Sequence, residues 1–199
     1  MHAIGVIHLD QLAKTEESVH GSAFLDKVAA HVESLEHCHS IKKWILMARS
    51  PVLRKLEAEL GHKARLSFVA TPERDALDTF YRVAVQQLEF GRSVQAPGNI
   101  VLRVTPGTDA LDAESIDTML RNHRNEGYDY SSNNMLDDGP SPTVEIMNLE
   151  VLNEAWREAL LPDDRDLITP YITRQHQRLN LGRYQPGKIA NSKIETTYF

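Results

Sequence analysis

The sequence predicts a single α/β domain in which a mainly parallel sheet carries helices on both faces. Short β-rich runs alternate with longer amphipathic stretches, as expected of βαβ units. The run KWILMA at 43–48 is almost continuously apolar, like strands that are covered on both faces. A chain of 199 residues is also of a typical length for one domain with one core.

Three predicted strands alternate with helices in the first half of the chain. These strands lie at 3–8, 43–48 and 66–70. Apolar residues recur at three- and four-residue spacing from Phe24 to Leu35, which predicts a helix at about 22–36.

Two serine- or threonine-proline pairs resemble helix starts. Ser50 is a predicted N-cap, with Pro51 in the first turn of a helix that ends near Gly61. The TP pair at 71–72 repeats this signal and predicts a helix to about Phe90.

The run NIVLRVT at 99–105 predicts a central strand, and Pro106 and Gly107 end it. Ligands of open α/β sheets bind outside the carboxyl ends of the strands. The sequence therefore predicts a site near residues 105–112.

The second half continues with one helix and two short strands. Asp112 is a predicted N-cap for a helix that ends at Gly127. Strands are predicted at 128–132 and 143–147, on either side of a polar turn, and Asn148 is the predicted cap of the next helix.

Hydrophobic periodicity decays towards the carboxyl terminus. We therefore divide the chain into an α/β domain at 1–174 and an irregular tail at 175–199, which we expect to be extended and to wrap on the domain or on a partner.

Composition excludes several classes of function. The net charge of -6, with no basic block, argues against nucleic acid as a partner. No segment is long and apolar enough to predict a membrane span. The start MHAIGVIHLD is a strand candidate rather than a signal peptide, so we expect a cytoplasmic protein.

The cluster His37, Cys38 and His39 is a candidate metal site. Neighbouring residues on an extended chain point to opposite faces, so the cluster could hold a metal only with ligands from elsewhere. We expect a solvated loop here and predict no metal site.

Five blocks of sequence occur in an order typical of one family. They are AIGVIH, GSAFLDKVAAHV, ALDTFYRVAV, LRVTPGTDALDAESID with DYSSN, and TVEIMNLEVLNEAWREAL with RDLITPYI. Together they resemble the spore-coat polysaccharide cytidylyltransferase-like family, a relative of the acylneuraminate and keto-deoxy-octulosonate cytidylyltransferases. The resemblance spans about residues 3–172 and implies a Rossmann-like, GT-A-like nucleotidyltransferase domain.

The resemblance implies a basic loop after the first strand that would hold a triphosphate. The corresponding segment here has one lysine, Lys14, and no arginine, and it contains Asp10, Glu16 and Glu17. Because these acids would repel a triphosphate, only Lys14 is a candidate nucleotide-binding residue of this loop.

The family's metal aspartates are also replaced. Pro106 and Gly107 occupy the positions of its Gly-Asp pair, and Thr143 replaces the aspartate of its D-V-E-V strand, whose glutamate remains as Glu145. Asp109 could substitute only in a rearranged turn. The resemblance therefore implies no resident cofactor, or Mg²⁺ if the chain is active.

Most of the candidate site residues are family positions that retain their residue, whereas Asp109 and Lys14 are candidates by substitution. The candidate substrate-binding residues are Arg103, Asp109, Asp112, Asp129, Asn133 and Glu145, and the candidate nucleotide-binding residues are Lys14 and Asp78. No catalytic residue is assigned.

Each of these candidates has a structural alternative. Asp112 is favoured as a helix cap, and Asp129 and Asn133 could form turns. Arg103 could clamp a ligand or form an internal ion pair with Glu145, and the sequence leaves both alternatives open.

Two functions therefore remain. One is a degenerate cytidylyltransferase-like subunit of nucleotide-sugar or surface-polysaccharide synthesis that binds a sugar or a nucleotide sugar. The other is an active enzyme that joins CTP to a sugar acid with relocated metal ligands. The resemblance and the apolar residues of the tail predict a homodimer in both cases.

Overall fold

A computed structural model describes residues 3–9, 22–72, 75–89, 98–107, 112–133 and 143–184. Its strands are β1 Ala3–His8, β2 Trp44–Arg49, β3 Leu66–Thr71, β4 Ile100–Thr105, β5 Tyr130–Ser132, β6 Thr143–Asn148 and β7 Leu181–Arg183. Its helices are α1 Ser22–Glu36, α2 Ser50–Leu60, α3 Ala76–Glu89, α4 Ala113–Asn125, α5 Leu149–Glu158, α6 Pro162–Leu167 and α7 Pro170–Thr173. No helix in the described ranges is long and apolar enough to cross a membrane.

The seven strands form one sheet in the order β3-β2-β1-β4-β6-β5-β7. The pairs β1–β2, β2–β3, β1–β4 and β5–β7 are parallel, whereas β6 is antiparallel to both β4 and β5. The predicted α/β fold with a mainly parallel sheet is confirmed.

Helices cover both faces of the sheet because alternate residues of its strands point to opposite sides. On the first face, Ile7, Leu46 and Leu102 pack with apolar residues of α1, α2 and α4. On the second face, Val6 and Met47 pack with apolar residues of α3 and α5. Both sides of the central strands are therefore dry, which explains their nearly continuous apolar sequences.

A glycine in β1 allows an aromatic ring to lie against the sheet. A Cβ atom on Gly5 would lie 2.3 Å from two ring carbons of Trp44. The indole Nε1 of Trp44 donates to the Leu35 carbonyl over 3.1 Å, which links β2 to the end of α1. Gly5 thus provides the space for an anchor between the sheet and α1.

Of the two helix starts predicted at serine- or threonine-proline pairs, one is shifted by one residue and the other is wrong. Ser50 is the first residue of α2 rather than its cap, and the capping position is Arg49. The start predicted at Thr71 and Pro72 is wrong, because Thr71 is the last residue of β3 and α3 begins at Ala76. The side chain of Asp75 accepts from the Asp78 N–H and caps this helix instead.

The predicted caps of the later helices lie where expected. Asp112 is the N-cap of α4, and its carboxylate accepts from the backbone of Glu114 and Ser115. Asn148 occupies the N-cap position of α5 without a capping hydrogen bond. Its side-chain amide donates to the Tyr128 carbonyl instead.

The predicted solvated loop at 37–39 is only partly correct. His37 and His39 are exposed, but Cys38 is fully buried and its thiol donates to Asp117 over 3.1 Å. Burial and the neighbouring Asp117 carboxylate raise the pKa of Cys38 to about 12. Cys38 is therefore a packed thiol rather than a nucleophile.

The first part of the predicted tail joins the sheet. β7 pairs with β5, and a Cβ atom on Gly182 would lie 2.4 Å from the ring of Tyr128. The sequence pattern did not predict this three-residue edge strand. Residues 185–199 lie outside the described part of the chain.

Candidate functional site

The carboxyl ends of the parallel strands form one edge of the sheet. β1 to β4 end at this edge with His8, Arg49, Thr71 and Thr105. Since β6 runs in the opposite direction, it begins at the same edge with Thr143. This is the edge at which open α/β sheets bind ligands.

A buried ion pair lies in the sheet just inside this edge. Arg103 of β4 and Glu145 of β6 are 2 % and 6 % exposed, and they are cross-strand partners. The guanidinium Nη1 donates to Glu145 Oε2 over 2.7 Å, and the Tyr130 hydroxyl donates to Oε1 over 2.7 Å. Both carboxylate oxygens of Glu145 are therefore occupied within the protein.

The same arginine is held from two further directions. Its Nη2 donates to Nδ1 of His8 over 3.2 Å, which requires that this ring nitrogen carry no proton. Its Nη1 also lies 3.5 Å from the hydroxyl of Thr169. Of the two alternatives for Arg103, the structure shows the internal ion pair.

Backbone strain accompanies the Thr169 contact. The preceding residue, Ile168, is fully buried and has φ 77° and ψ −54°, in a region that β-branched residues avoid. Such a conformation costs on the order of 1–3 kcal/mol and persists where the surrounding packing fixes it. Ile168 and Ile172 both pack in the second core, and this packing holds Thr169 next to the ion pair.

The residues that stand where the family resemblance implies metal aspartates lie in and beside the turn after β4. Thr105 is the cross-strand partner of Thr143. After Thr105 the chain continues with the buried Pro106 and the half-buried Gly107. His31 of α1 donates from Nε2 to the Gly107 carbonyl over 3.3 Å. α1 therefore contacts the turn directly.

The described residues of this edge do not fit a Mg²⁺ ion. Mg²⁺ prefers carboxylate and phosphate oxygens in octahedral geometry. Glu145 already has a donor on each oxygen, and neither Gly107 nor Thr143 has a carboxylate. No group of three metal-ligating side chains occurs in the described ranges, while Asp109 and Lys14 lie outside them.

Two candidate substrate-binding residues close local structure near the edge. The exposed Asp112 caps α4, and hydrogen bonds from Ser115 lower the pKa of its carboxyl group. Asn133 follows β5; its backbone donates to the Val144 carbonyl and its side-chain oxygen accepts from the Val144 N–H over 2.8 Å. Both side chains therefore make local hydrogen bonds, which were the expected alternative to substrate binding.

Asp129 lies at the opposite edge of the sheet. β5 is antiparallel to β6 and hence parallel to β4, so the residue before β5 belongs to the amino edge. Its carboxylate accepts from the Asn180 N–H over 2.8 Å and holds the segment that leads into β7. The structure does not bring Asp129 together with Arg103.

Asp78 belongs to a cluster between α3, α5 and α6. Its two oxygens accept from Trp156 Nε1 over 2.8 Å and from Arg82 Nε over 2.7 Å. Burial alone would raise the pKa of Asp78, but these hydrogen bonds lower it below its ordinary value. Tyr81 stacks on Trp156 with ring centroids 4.6 Å apart. Asp78 therefore links α3 to α5.

A further buried histidine lies on the first face of the sheet. His123 of α4 is 1 % exposed and contacts Ser131 Oγ at 2.9 Å and Asn148 Oδ1 at 3.3 Å. The Asn148 amide nitrogen donates to the Tyr128 carbonyl, so its oxygen faces the imidazole. The proton must therefore lie on Nε2, and Nδ1 accepts from the Ser131 hydroxyl.

We expect His123 to make the free energy of unfolding pH-dependent. Burial lowers its pKa from 6.5 to about 4, although the Asn148 hydrogen bond opposes this shift. Between these values the unfolded chain binds a proton that the folded chain excludes, so stability falls as pH falls through this window. The expected loss is about 3 kcal/mol between neutral pH and about pH 4.

The measurement is urea unfolding at several pH values for the unmodified chain and for His123→Gln, which keeps a donor and an acceptor. Other groups also titrate in this range, so the difference between the two chains isolates His123. Parallel pH profiles of the two chains would contradict the assignment.

Sequence reasoning missed several polar residues of the edge. His8, His31 and Thr71 were not proposed, although His8 ends an apolar strand at a carboxyl terminus, which is a recognisable signal. Tyr130 and Thr169 were noted only within motifs. Their contact with the ion pair depends on how β5 and the segment before α7 pack, which no local pattern predicts.

The fold and the edge together define a Rossmann-like α/β domain in which an internal ion pair lies at the centre of the carboxyl edge. Neither a family model nor a curated protein sequence matches the chain. Solved structures do match it, at the level of the fold.

The chain is similar to a cytidylyltransferase from Leptospira borgpetersenii, with a TM-score of 0.72 and 15% identity over 94% of this chain and 77% of that one. It also resembles CMP:2-keto-3-deoxy-manno-octonic acid synthetase complexed with CTP, with a TM-score of 0.57 and 9% identity over 92% and 89%. A third match is 4-diphosphocytidyl-2C-methyl-D-erythritol synthase from Anaerococcus prevotii, with a TM-score of 0.54 and 10% identity over 98% and 92%. The chain therefore has the fold of cytidylyltransferases.

Proposed function

We propose that this chain is a catalytically degenerate cytidylyltransferase-like protein that acts as a binding or assembly subunit in nucleotide-sugar or surface-polysaccharide synthesis. In this proposal it is a cytoplasmic homodimer that takes a sugar or nucleotide sugar at the carboxyl edge. The fold of the matched cytidylyltransferases supports the class of ligand.

One observation carries the degenerate role. Glu145, the acid retained from the D-V-E-V pattern, is buried and accepts from Arg103 and Tyr130, so its charge is already paired within the protein and a metal would have to compete with a buried guanidinium. Phosphoryl transfer depends on positioning and on stabilising negative charge, so a nucleotide at this edge would lack much of what the reaction needs. The acidic composition of residues 10–17 points in the same direction.

The alternative is an active nucleotidyltransferase that joins CTP to a sugar acid and releases pyrophosphate. Asp109 follows Gly107 by two residues, and Lys14 lies in the segment after β1. In this alternative Asp109, Glu145 and Lys14 would serve as relocated groups for the metal and the phosphates.

Pyrophosphate release separates the two proposals. With CTP, Mg²⁺ and common acidic sugars, we expect no release above that of a protein-free control, because metal ligands and cationic groups are missing together. The matched variant is Asp109→Asn. Release by the unmodified chain that this substitution abolishes would establish the active enzyme.

A further inference from the structure

Two side chains lie next to each other at the outer part of the carboxyl edge. Arg49 is the last residue of β2 and Thr71 the last of β3, and the register pairs them directly. Adjacent strands are about 4.8 Å apart. Two residues earlier, Met47 and Val69 pack in the second core, so Arg49 and Thr71 project to the same second face.

Both side chains have a buried donor without a partner in the described ranges. These atoms are Arg49 Nε and the hydroxyl oxygen of Thr71, a residue that is only 6 % exposed. Native proteins leave few buried donors unsatisfied, and such groups are often found where a water molecule or an ion binds. The strand register makes Arg49 and Thr71 direct neighbours.

The charge of Arg49 has no counterpart in the described part of the chain. Arg103 and Arg165 form ion pairs with Glu145 and Asp75, whereas no described carboxylate pairs with Arg49. A half-buried guanidinium beside a hydroxyl donor provides the charge and the hydrogen bonds by which proteins hold carboxylate and phosphate groups.

We infer that Arg49 and Thr71 form a subsite for an oxyanion at the β2–β3 end of the carboxyl edge. Its ligand is the carboxylate of a sugar acid or the phosphate of a phosphorylated sugar. The inference does not depend on the proposed function, because the subsite could hold an anion with or without turnover of CTP.

Thermal unfolding of the full chain tests this subsite with inorganic phosphate and, separately, acetate as probes. Ionic strength is kept constant with sodium chloride and no metal is present. The variants are Arg49→Gln, which removes the charge, Arg49→Lys, which keeps it, and Thr71→Val, which replaces the hydroxyl by a methyl group. Arg54→Gln is the control, since Arg54 is exposed on α2 in the same region.

We expect at least one probe to raise the unfolding temperature of the unmodified chain and of Arg54→Gln. The probe that does so identifies a phosphate or a carboxylate ligand. Arg49→Gln should weaken its binding at least about tenfold, the size of a lost charge-assisted hydrogen bond. Arg49→Lys should have an intermediate effect.

Thr71→Val distinguishes a binding role from a structural one. Without anion, this variant should unfold at the same or a higher temperature, because it removes an unsatisfied buried hydroxyl. It should also reduce the rise caused by the anion. The inference is overturned if neither probe stabilises the unmodified chain, if Arg49→Gln responds like the control, or if Thr71→Val destabilises the anion-free protein.

Failure of this subsite is distinguishable from failure of the proposed function. The thermal experiment contains neither CTP nor metal, and the pyrophosphate assay is read with Asp109→Asn. Each result therefore stands without the other.

Discussion

Glu145→Leu is expected to destabilise the fold by about 3–5 kcal/mol, because it leaves the Arg103 guanidinium buried without a counter-charge. Arg103 is 2 % exposed, so water cannot replace the lost carboxylate. The Tyr130 hydroxyl would lose its acceptor in the same variant. Urea unfolding followed by circular dichroism measures the change.

A combined variant tests whether the loss of stability comes from the unpaired charge of Arg103 rather than from the absence of the Glu145 carboxylate. Arg103→Met, Glu145→Leu and Tyr130→Phe together remove both charges and the hydroxyl while keeping the volume of the side chains, and should restore most of the lost stability. Glu36→Leu is the control at a less buried ion pair, since the side chains of Lys63 and Glu36 are 18 % and 32 % exposed, and the loss should be much smaller. A loss below about 1 kcal/mol in Glu145→Leu would mean that the ion pair is not buried as described.

The fold was predictable from the sequence where local pattern and long-range packing agree. The apolar runs of β1 and β2 are buried on both faces, and burial of this kind produces a nearly continuous apolar sequence. The Asp112 cap was predictable because it depends only on residues within one turn.

Other elements depend on contacts that local patterns do not contain. Thr71 and Pro72 resemble a helix start, yet pairing of Arg49 with Thr71 extends β3 through this position. β7 is three residues long and exists because Gly182 packs on Tyr128 and β5 offers an edge. In both places tertiary contacts override the local signal.

The site was predictable only in part for the same reason. Arg103 and Glu145 were named with their ion pair as one alternative, but the sequence could not decide between that pair and a ligand clamp. Asp129 was proposed with them because it is a retained position of the same family resemblance, and the direction of β5 places it at the opposite edge. That the unsatisfied donors of Arg49 and Thr71 are neighbours could be recognised only from the strand register.

The central claim is that the carboxyl edge no longer holds a metal-bound nucleotide. Gly107 and Thr143 replace two carboxylates, and Glu145 is engaged by Arg103. Each missing carboxylate removes a ligand for the Mg²⁺ ion whose positive charge offsets a triphosphate, so binding of CTP·Mg²⁺ should be weak. A chain with Gly107→Asp and Thr143→Asp should bind Mg²⁺ more tightly and still fail to release pyrophosphate, because the basic segment remains missing.

Calorimetric titration of the unmodified chain with CTP and Mg²⁺ tests this claim most directly, with the Gly107→Asp, Thr143→Asp chain measured beside it. We expect no binding heat in the micromolar range for the unmodified chain and measurably tighter metal binding for the variant. Micromolar binding of CTP·Mg²⁺ by the unmodified chain, unchanged or weakened by the two restored aspartates, would contradict the account.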